Sequence, residues 1–148
     1  MNPTTERTVA MSDLMTADLI PIAVVGAHLT GLPLNHELST AGGRLVRCAR
    51  TSGDYRLFAL PGTVPPKPGM VRFPGAEGPG LEVEVWELPA DAFGRFVARV
   101  PAPLGIGKVT LSDGAQVSCF LCEAYAVAGA EDITDYGGWR NYLAQRAA

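Results

Sequence analysis

The apolar positions of the chain fall into short blocks that predict mainly β-strands. Seven apolar residues, "LIPIAVV" (19–25), run together and end at Gly26, which predicts a buried strand. Two more strands are predicted over 44–51 and 55–60 from their β-branched and alternating residues. The segment "LEVEVWEL" (81–88) alternates regularly, but apolar residues occur on both of its faces. This pattern predicts a sheet that is covered on both sides.

Three segments have helical signals. "NHELSTAGG" (35–43) predicts one helical turn, with Asn35 placed to cap it and glycines placed to end it. "PADAFGRFVARV" (89–100) predicts the best helix, because proline starts it and apolar residues follow at 3-4-3 spacing. The final segment, 132–148, predicts a terminal helix that buries Trp139, Tyr142 and Leu143.

Two segments complete the predicted architecture. Residues 108–127 predict a hairpin around the turn Asp113-Gly114. Residues 61–80 are so rich in proline and glycine that they predict a rigid surface loop rather than a strand. The fold class predicted is α+β, with a small mixed, barrel-like sheet of five or six strands and two or three helices. Residues 1–18 are predicted to be a flexible tail and 19–148 a single domain.

Composition narrows the function classes. The chain has 148 residues, 47% of them apolar, and a net charge of −3 with no basic run, so nucleic acid is not an expected partner. No apolar stretch is long enough to span a bilayer, and no signal peptide is recognisable, which favours the cytoplasm and argues against a membrane role. The odd number of cysteines fits a reducing compartment, and Cys119 and Cys122 are predicted to be buried apolar residues. No metal site and no cofactor are predicted.

Four blocks in order make the chain resemble a known family. These blocks are "VVGAHLTGLPLNHEL", "YRLFALPGTVPPKPGMVR", "EVEVWELPADAFGRFVARVPAPLGIGKVTLSDG" and "DITDYGGWRNYL". Together, from about Ile20 to Leu143, they resemble the C-terminal domain of allophanate hydrolase, a member of the γ-glutamylcyclotransferase-like superfamily. The resemblance implies a small mixed barrel. It also implies a loop that grips an anionic ligand with backbone amides, at the positions Gly26, Ala27, His28 and Leu29.

The chain also departs from these patterns. The superfamily's cyclotransferases use a glutamate after the helix, and the corresponding stretch here, "ARVPAPLGIG", has no carboxylate. The Ser-Ser-Lys catalytic set of whole allophanate hydrolases is absent too, so a stand-alone relative of the C-terminal domain is expected. The activity implied is decarboxylation of N-carboxycarbamate, or of a related small carboxylated amide, in urea and allophanate nitrogen metabolism.

That chemistry requires a proton for the carbamate nitrogen and groups that hold negative charge. A histidine can donate a proton near neutral pH, so His28 is the predicted catalytic residue. The predicted binding residues for a small anionic substrate are Gly26, Ala27, Leu29, Asn35, Tyr55 and Lys67.

Several questions stay open from the sequence. No role is assigned to His36 or Glu87, and Glu84 is expected on a solvated sheet face rather than in a pocket. A non-catalytic module that assembles with a separate amidase subunit is the first alternative function, and a γ-glutamyl-amine cyclotransferase-like enzyme is the second. A homodimer is also left open.

Overall fold

The computed structural model describes residues 18–147, and within them eight strands and four α-helices. The strands are β1 (Leu19–Val24), β2 (Arg44–Arg50), β3 (Tyr55–Ala59), β4 (Pro68–Arg72), β5 (Glu82–Pro89), β6 (Leu104–Thr110), β7 (Gln116–Cys122) and β8 (Glu131–Asp132). The helices are α1 (His36–Ser39), α2 (Ala90–Ala98), α3 (Ala124–Val127) and α4 (Trp139–Ala147), with a 3₁₀ turn at Thr134–Tyr136. The predicted tail lies outside the described residues except for Asp18, whose carbonyl accepts a hydrogen bond from the Ala90 N–H.

Five strands form a mixed sheet in the order β2-β5-β1-β7-β6. The central strand β1 pairs antiparallel with β5 and parallel with β7, and residues 22–24 are fully buried. The edge strands β2 and β6 meet at one end, where the Ser52 N–H donates to the Thr110 carbonyl at 2.9 Å. The Ser112 N–H likewise donates to the Arg50 carbonyl at 2.9 Å. The five-stranded sheet therefore curls toward a barrel. The other three strands belong to a second sheet.

A second sheet of three strands, in the order β4-β3-β8, corrects the prediction for the proline-rich segment. Residues 68–72 form β4 instead of a loop, and they pair with β3 from Tyr55 opposite Arg72 to Ala59 opposite Pro68. Proline is tolerated here because β4 is an edge strand and Pro68 is its first residue. The α+β class is confirmed, but the architecture has two sheets and four helices where one sheet was predicted.

Other predicted elements differ in detail. The Asn35 side chain makes no capping bond to α1, because it bonds to the turn before this helix instead. The predicted hairpin is longer at its start, because β6 begins at Leu104, and shorter at its end, because Ala124–Val127 is α3. In the terminal helix, Trp139 and Tyr142 are buried as predicted, with 2% and 6% of their surfaces exposed. No helix in the described part of the chain is long and apolar enough to cross a membrane.

The cysteines of the CxxC segment lie on β7 and are both buried and free. Three residues apart on a strand, they point to opposite faces of the sheet. Burial raises the pKa of the Cys119 thiol to about 12, which keeps it protonated and unreactive. The prediction that Cys119 and Cys122 are buried is confirmed.

The two sheets pack closely where β4 crosses β7. A Cβ atom at Gly69 would lie 2.8 Å from Cys122 Sγ and 2.9 Å from its Cβ. Gly69 therefore marks a place where the sheets leave no room for a methyl group.

We expect Gly69→Ala to lower the free energy of unfolding by about 1–3 kcal/mol, because an extra methyl in a packed interior forces its neighbours apart. Gly105→Ala is the matched control, since Gly105 also lies in a strand but has no atom within 4 Å of the place that a methyl group would take. Urea denaturation of both variants measures the difference. Equal midpoints for Gly69→Ala and the wild type would contradict this view of the sheet contact.

Candidate functional site

A cavity of about 600 Å³ opens beside the turn that follows β1. Its walls come from this turn, from α1 and α2, from the start of β4, and from β6 and β7. The cavity therefore brings together parts of both sheets, and its shape depends on how they pack.

The turn itself is built around a close approach of the Gly26 backbone to the ring of Pro68. A Cβ atom at Gly26 would lie 2.5 Å from Cδ of Pro68, so only glycine fits where β1 ends against the start of β4. The Leu29 N–H closes the turn on the Gly26 carbonyl at 3.0 Å, and the Leu29 side chain is fully buried in the core. Between these two anchors, Ala27 and His28 are placed on the cavity wall.

His28 lies in an aromatic setting and has one acidic partner. Its ring stacks on Phe120 with centroids 5.1 Å apart and meets the Phe96 ring edge-on, also at 5.1 Å. Its Nε2 lies 2.8 Å from Oε1 of Glu37, which α1 brings to the cavity. Because Nε2 is engaged by Glu37, Nδ1 is the ring nitrogen left for a ligand.

The surroundings of His28 act on its pKa in opposite directions. Burial is the largest effect and lowers the pKa, because the charged imidazolium loses water. The hydrogen bond and the charge of Glu37 raise it, while the charges of Lys67 and His36 lower it. The net result is a pKa below the ordinary value of 6.5, so the imidazole is mainly neutral near pH 7 when the cavity holds only water.

The cavity carries positive charge in a chain that is negative overall. Lys67, Arg95 and Arg99 line it, and Glu37 is the only carboxylate among the described residues that do so. Arg95 is paired with Asp91 at 3.1 Å, whereas no described carboxylate pairs with Lys67 or Arg99. Since the whole chain has a charge of −3, this local excess of cations favours an anionic ligand.

Backbone groups add to this positive surface. None of the hydrogen bonds among the described residues uses the N–H of Ala27 or of His28 as a donor. Successive free N–H groups of a turn can bind a carboxylate. Lys67 is also held in place by its backbone, since its N–H donates to the Thr63 hydroxyl at 2.8 Å and its carbonyl accepts from Leu60 at 3.1 Å.

Some of the residues predicted from the sequence meet at this cavity and others do not. Gly26, Ala27, His28 and Lys67 line it, as does His36. The Asn35 side chain lies behind the turn and donates to the His28 carbonyl at 2.8 Å, which explains why it does not cap α1. Leu29 belongs to the core.

Tyr55 lies away from the cavity. Only 1% of its surface is exposed, and its hydroxyl accepts a hydrogen bond from the Thr110 N–H at 3.0 Å. The structure thus places Tyr55 in the interior, where it links β3 to β6.

Sequence reasoning missed the acidic and aromatic partners of His28. Glu37, Phe96 and Phe120 come from three separate elements, so no local spacing connects them with His28. The two arginines gave a clearer signal, because Arg95 on α2 and Arg99, the residue that follows α2, have the four-residue spacing that puts side chains on one side of a helix.

Glu84 and Glu87, two of the three glutamates of β5, have structural partners. The expectation for Glu84 was wrong: it is buried, with 4% of its surface exposed, because the sheet is covered where it points. Glu87 is half-buried and pairs with Arg44 at 3.0 Å.

Metal binding has no support in the described part of the chain, where no three histidine, cysteine, aspartate or glutamate residues come together as ligands. The arrangement is suited instead to holding a small anion beside a histidine that can exchange a proton.

The chain is similar to known proteins over nearly all of its described length. Residues 20–144 match the family of the allophanate hydrolase C-terminal domain. The urea amidolyase of Saccharomyces cerevisiae is 45% identical over 127 residues, which are 84% of this chain and 7% of the yeast protein. The chain thus spans only a small part of the curated relatives that it matches.

Solved structures show the same fold. An allophanate hydrolase from Kluyveromyces lactis superposes with a TM-score of 0.81 at 42% identity, over 85% of this chain and 21% of that one. A uropathogenic E. coli-specific protein superposes with a TM-score of 0.77 at 36% identity, over 85% of this chain and 96% of that one. Because the family match covers nearly all of its described length, this chain belongs to the allophanate hydrolase C-terminal domain family.

Proposed function

We propose that this protein decarboxylates N-carboxycarbamate, or a related small carboxylated amide, after an amidase has released it. The observation that carries the proposal is the pair His28–Glu37 in a cavity whose other charged residues are cations. The family and the names of its relatives, urea amidolyase and allophanate hydrolase, support the substrate class.

The reaction breaks one C–N bond. The electron pair of that bond stays on nitrogen, carbon dioxide leaves, and a proton must reach nitrogen so that carbamate departs as H₂N–CO₂⁻. His28 supplies this proton from its imidazolium form. A dianionic substrate favours that form, because a nearby negative charge raises the pKa of a histidine.

The remaining groups hold the charge of the substrate. Lys67 and Arg99 face the cavity without a described carboxylate partner, so each can bind a carboxylate of the substrate. The N–H groups of Ala27 and His28 form a second cradle beside the acid. Glu37 orients the imidazole and stabilises its charged form.

Two other functions remain as candidates. Assembly with a separate amidase subunit is supported by the loop before β4, where Val64 is 94% exposed, and co-elution on gel filtration would test it. A γ-glutamyl cyclotransferase needs an acid that the segment 98–107 does not supply. Glu37 is a carboxylate in the same cavity, so release of 5-oxoproline from γ-glutamyl amines is worth measuring in parallel.

We expect His28→Ala to reduce the acceleration of carbon dioxide release by about 10²- to 10⁴-fold, the usual contribution of a general acid. The assay supplies N-carboxycarbamate from an allophanate-specific amidase that lacks its C-terminal domain. The substrate also decomposes unaided, so rates are compared with and without this protein. A His28→Ala protein that accelerates the reaction as well as the wild type would eliminate the mechanism.

The two lysines of the chain provide a matched pair. Lys67→Gln should raise KM about ten- to hundredfold, because a charge-assisted contact to the substrate is worth roughly 1.5–3 kcal/mol. Lys108→Gln should leave KM unchanged, since Lys108 is exposed on β6 and bonds only to Ser118 among the described residues. Equal KM values for both variants would remove Lys67 from the binding site.

The pH dependence follows from the surroundings of His28. In the free protein, NMR titration of its ring should give a pKa below 6.5, and kcat/KM should fall as pH rises through that pKa, because the acid form is lost. Glu37→Gln should lower the His28 pKa further, since it removes the carboxylate whose charge and hydrogen bond raise that pKa. Glu123→Gln is an exposed control that should not change it. A pKa that rises in Glu37→Gln would contradict this assignment.

A further inference from the structure

One buried carboxylate, Glu84, accepts hydrogen bonds from three residues. Its Oε1 accepts from the N–H and from the hydroxyl of Thr30, both at 2.9 Å, and from the indole N–H of Trp86 at 3.2 Å. Its Oε2 accepts from Arg140 Nη2 at 2.9 Å. A buried charge is retained only when it is paired and hydrogen-bonded, and Glu84 meets both conditions.

The pairing of β1 with β5 explains why Glu84 reaches this turn. Val24, the last residue of β1, lies directly opposite Glu84. The chain leaves β1, forms the turn that presents His28, and returns over the Glu84 carboxylate at Thr30. Thr30 is two residues beyond His28, so whatever holds Thr30 also limits how the histidine can move.

Arg140, on α4 near the other end of the chain, contacts both Thr30 and Glu84. Its Nη1 donates to the Thr30 carbonyl while Nη2 binds Glu84, and its Nε donates to Glu82 at 3.3 Å. The backbone N–H, the hydroxyl and the carbonyl of Thr30 are therefore all occupied by Glu84 and Arg140. The neighbouring Trp139, with 2% of its surface exposed, anchors α4 in the core.

We propose that Glu84 and Arg140 are positioning residues that hold the turn of His28 in the orientation needed for proton transfer. The catalytic part of this inference rests on the proposed function. Neither residue lines the cavity, so neither contacts the substrate there. Their effect is transmitted through Thr30, while Asn35 holds the opposite side of the turn at the His28 carbonyl. Small displacements of an acid matter, since about 1 Å can cost roughly a hundredfold in rate.

The test uses Thr30→Val, which removes the hydroxyl but keeps the shape of the side chain, and Thr30→Ser, which restores the hydroxyl. Arg140→Gln removes the guanidinium, and Arg146→Gln, on the exposed face of the same helix, is the matched control. Because Arg140→Gln leaves Glu84 without its cation and weakens folding, Thr30→Val provides an independent test. The two readouts are the NMR titration of the His28 ring and the separate values of kcat and KM.

In Thr30→Val and Arg140→Gln, we expect kcat to fall about tenfold or more with KM changed less than about twofold. We also expect the His28 pKa to move up toward its ordinary value, because a looser turn exposes the ring to water. Thr30→Ser and Arg146→Gln should behave as the wild type in both readouts.

The outcomes separate the two proposals. Folded Thr30→Val and Arg140→Gln proteins with a wild-type His28 titration and wild-type kcat would overturn the positioning role. A shifted His28 titration, in a protein whose wild type does not accelerate carbon dioxide release, would support the positioning role and overturn the decarboxylase function.

Discussion

The contact between Gly26 and Pro68 is the constraint on which the rest of the site depends. It brings the end of the central strand of one sheet against the edge strand of the other, at a distance that excludes any side chain. On one side of this contact the chain turns and presents His28. On the other side the same approach places Lys67 at the cavity. One steric condition thus places His28 and Lys67, from segments that adjoin two different sheets, beside the same cavity.

The electrostatics of the cavity match a ligand that arrives with negative charge. Burial and nearby cations disfavour a charged imidazole, while Glu37 favours it, and the balance leaves His28 mainly neutral in water near pH 7. An anion bound between Lys67 and Arg99 shifts that balance toward the imidazolium. Binding of an anion there and protonation of His28 are therefore coupled.

Local sequence signals were reliable where neighbouring residues decide the structure. The apolar run of β1, the turn at Gly26 and the Asp113-Gly114 hairpin were all predictable, because strand patterns and turn chemistry act over a few residues. The proline-rich segment was not. Its residues 68–72 form a strand because β3 offers a pairing partner, and proline is tolerated at the first position of an edge strand.

Glu84 and Tyr55 show most clearly where prediction from the sequence ends. Each contacts residues from distant parts of the chain. The alternating pattern of β5 predicts that Glu84 is exposed, but in the structure it is buried and paired with Arg140, 56 residues later in the chain. The sequence by itself determined the family, the α+β class, the turn at Gly26 and His28 as the candidate proton-carrying side chain, because these depend on motifs and local spacing. Only the tertiary structure decided that Glu37 pairs with His28, that three cations line the cavity and that Tyr55 lies in the core. Those facts depend on packing between segments far apart in the chain, and short-range patterns do not record such distances.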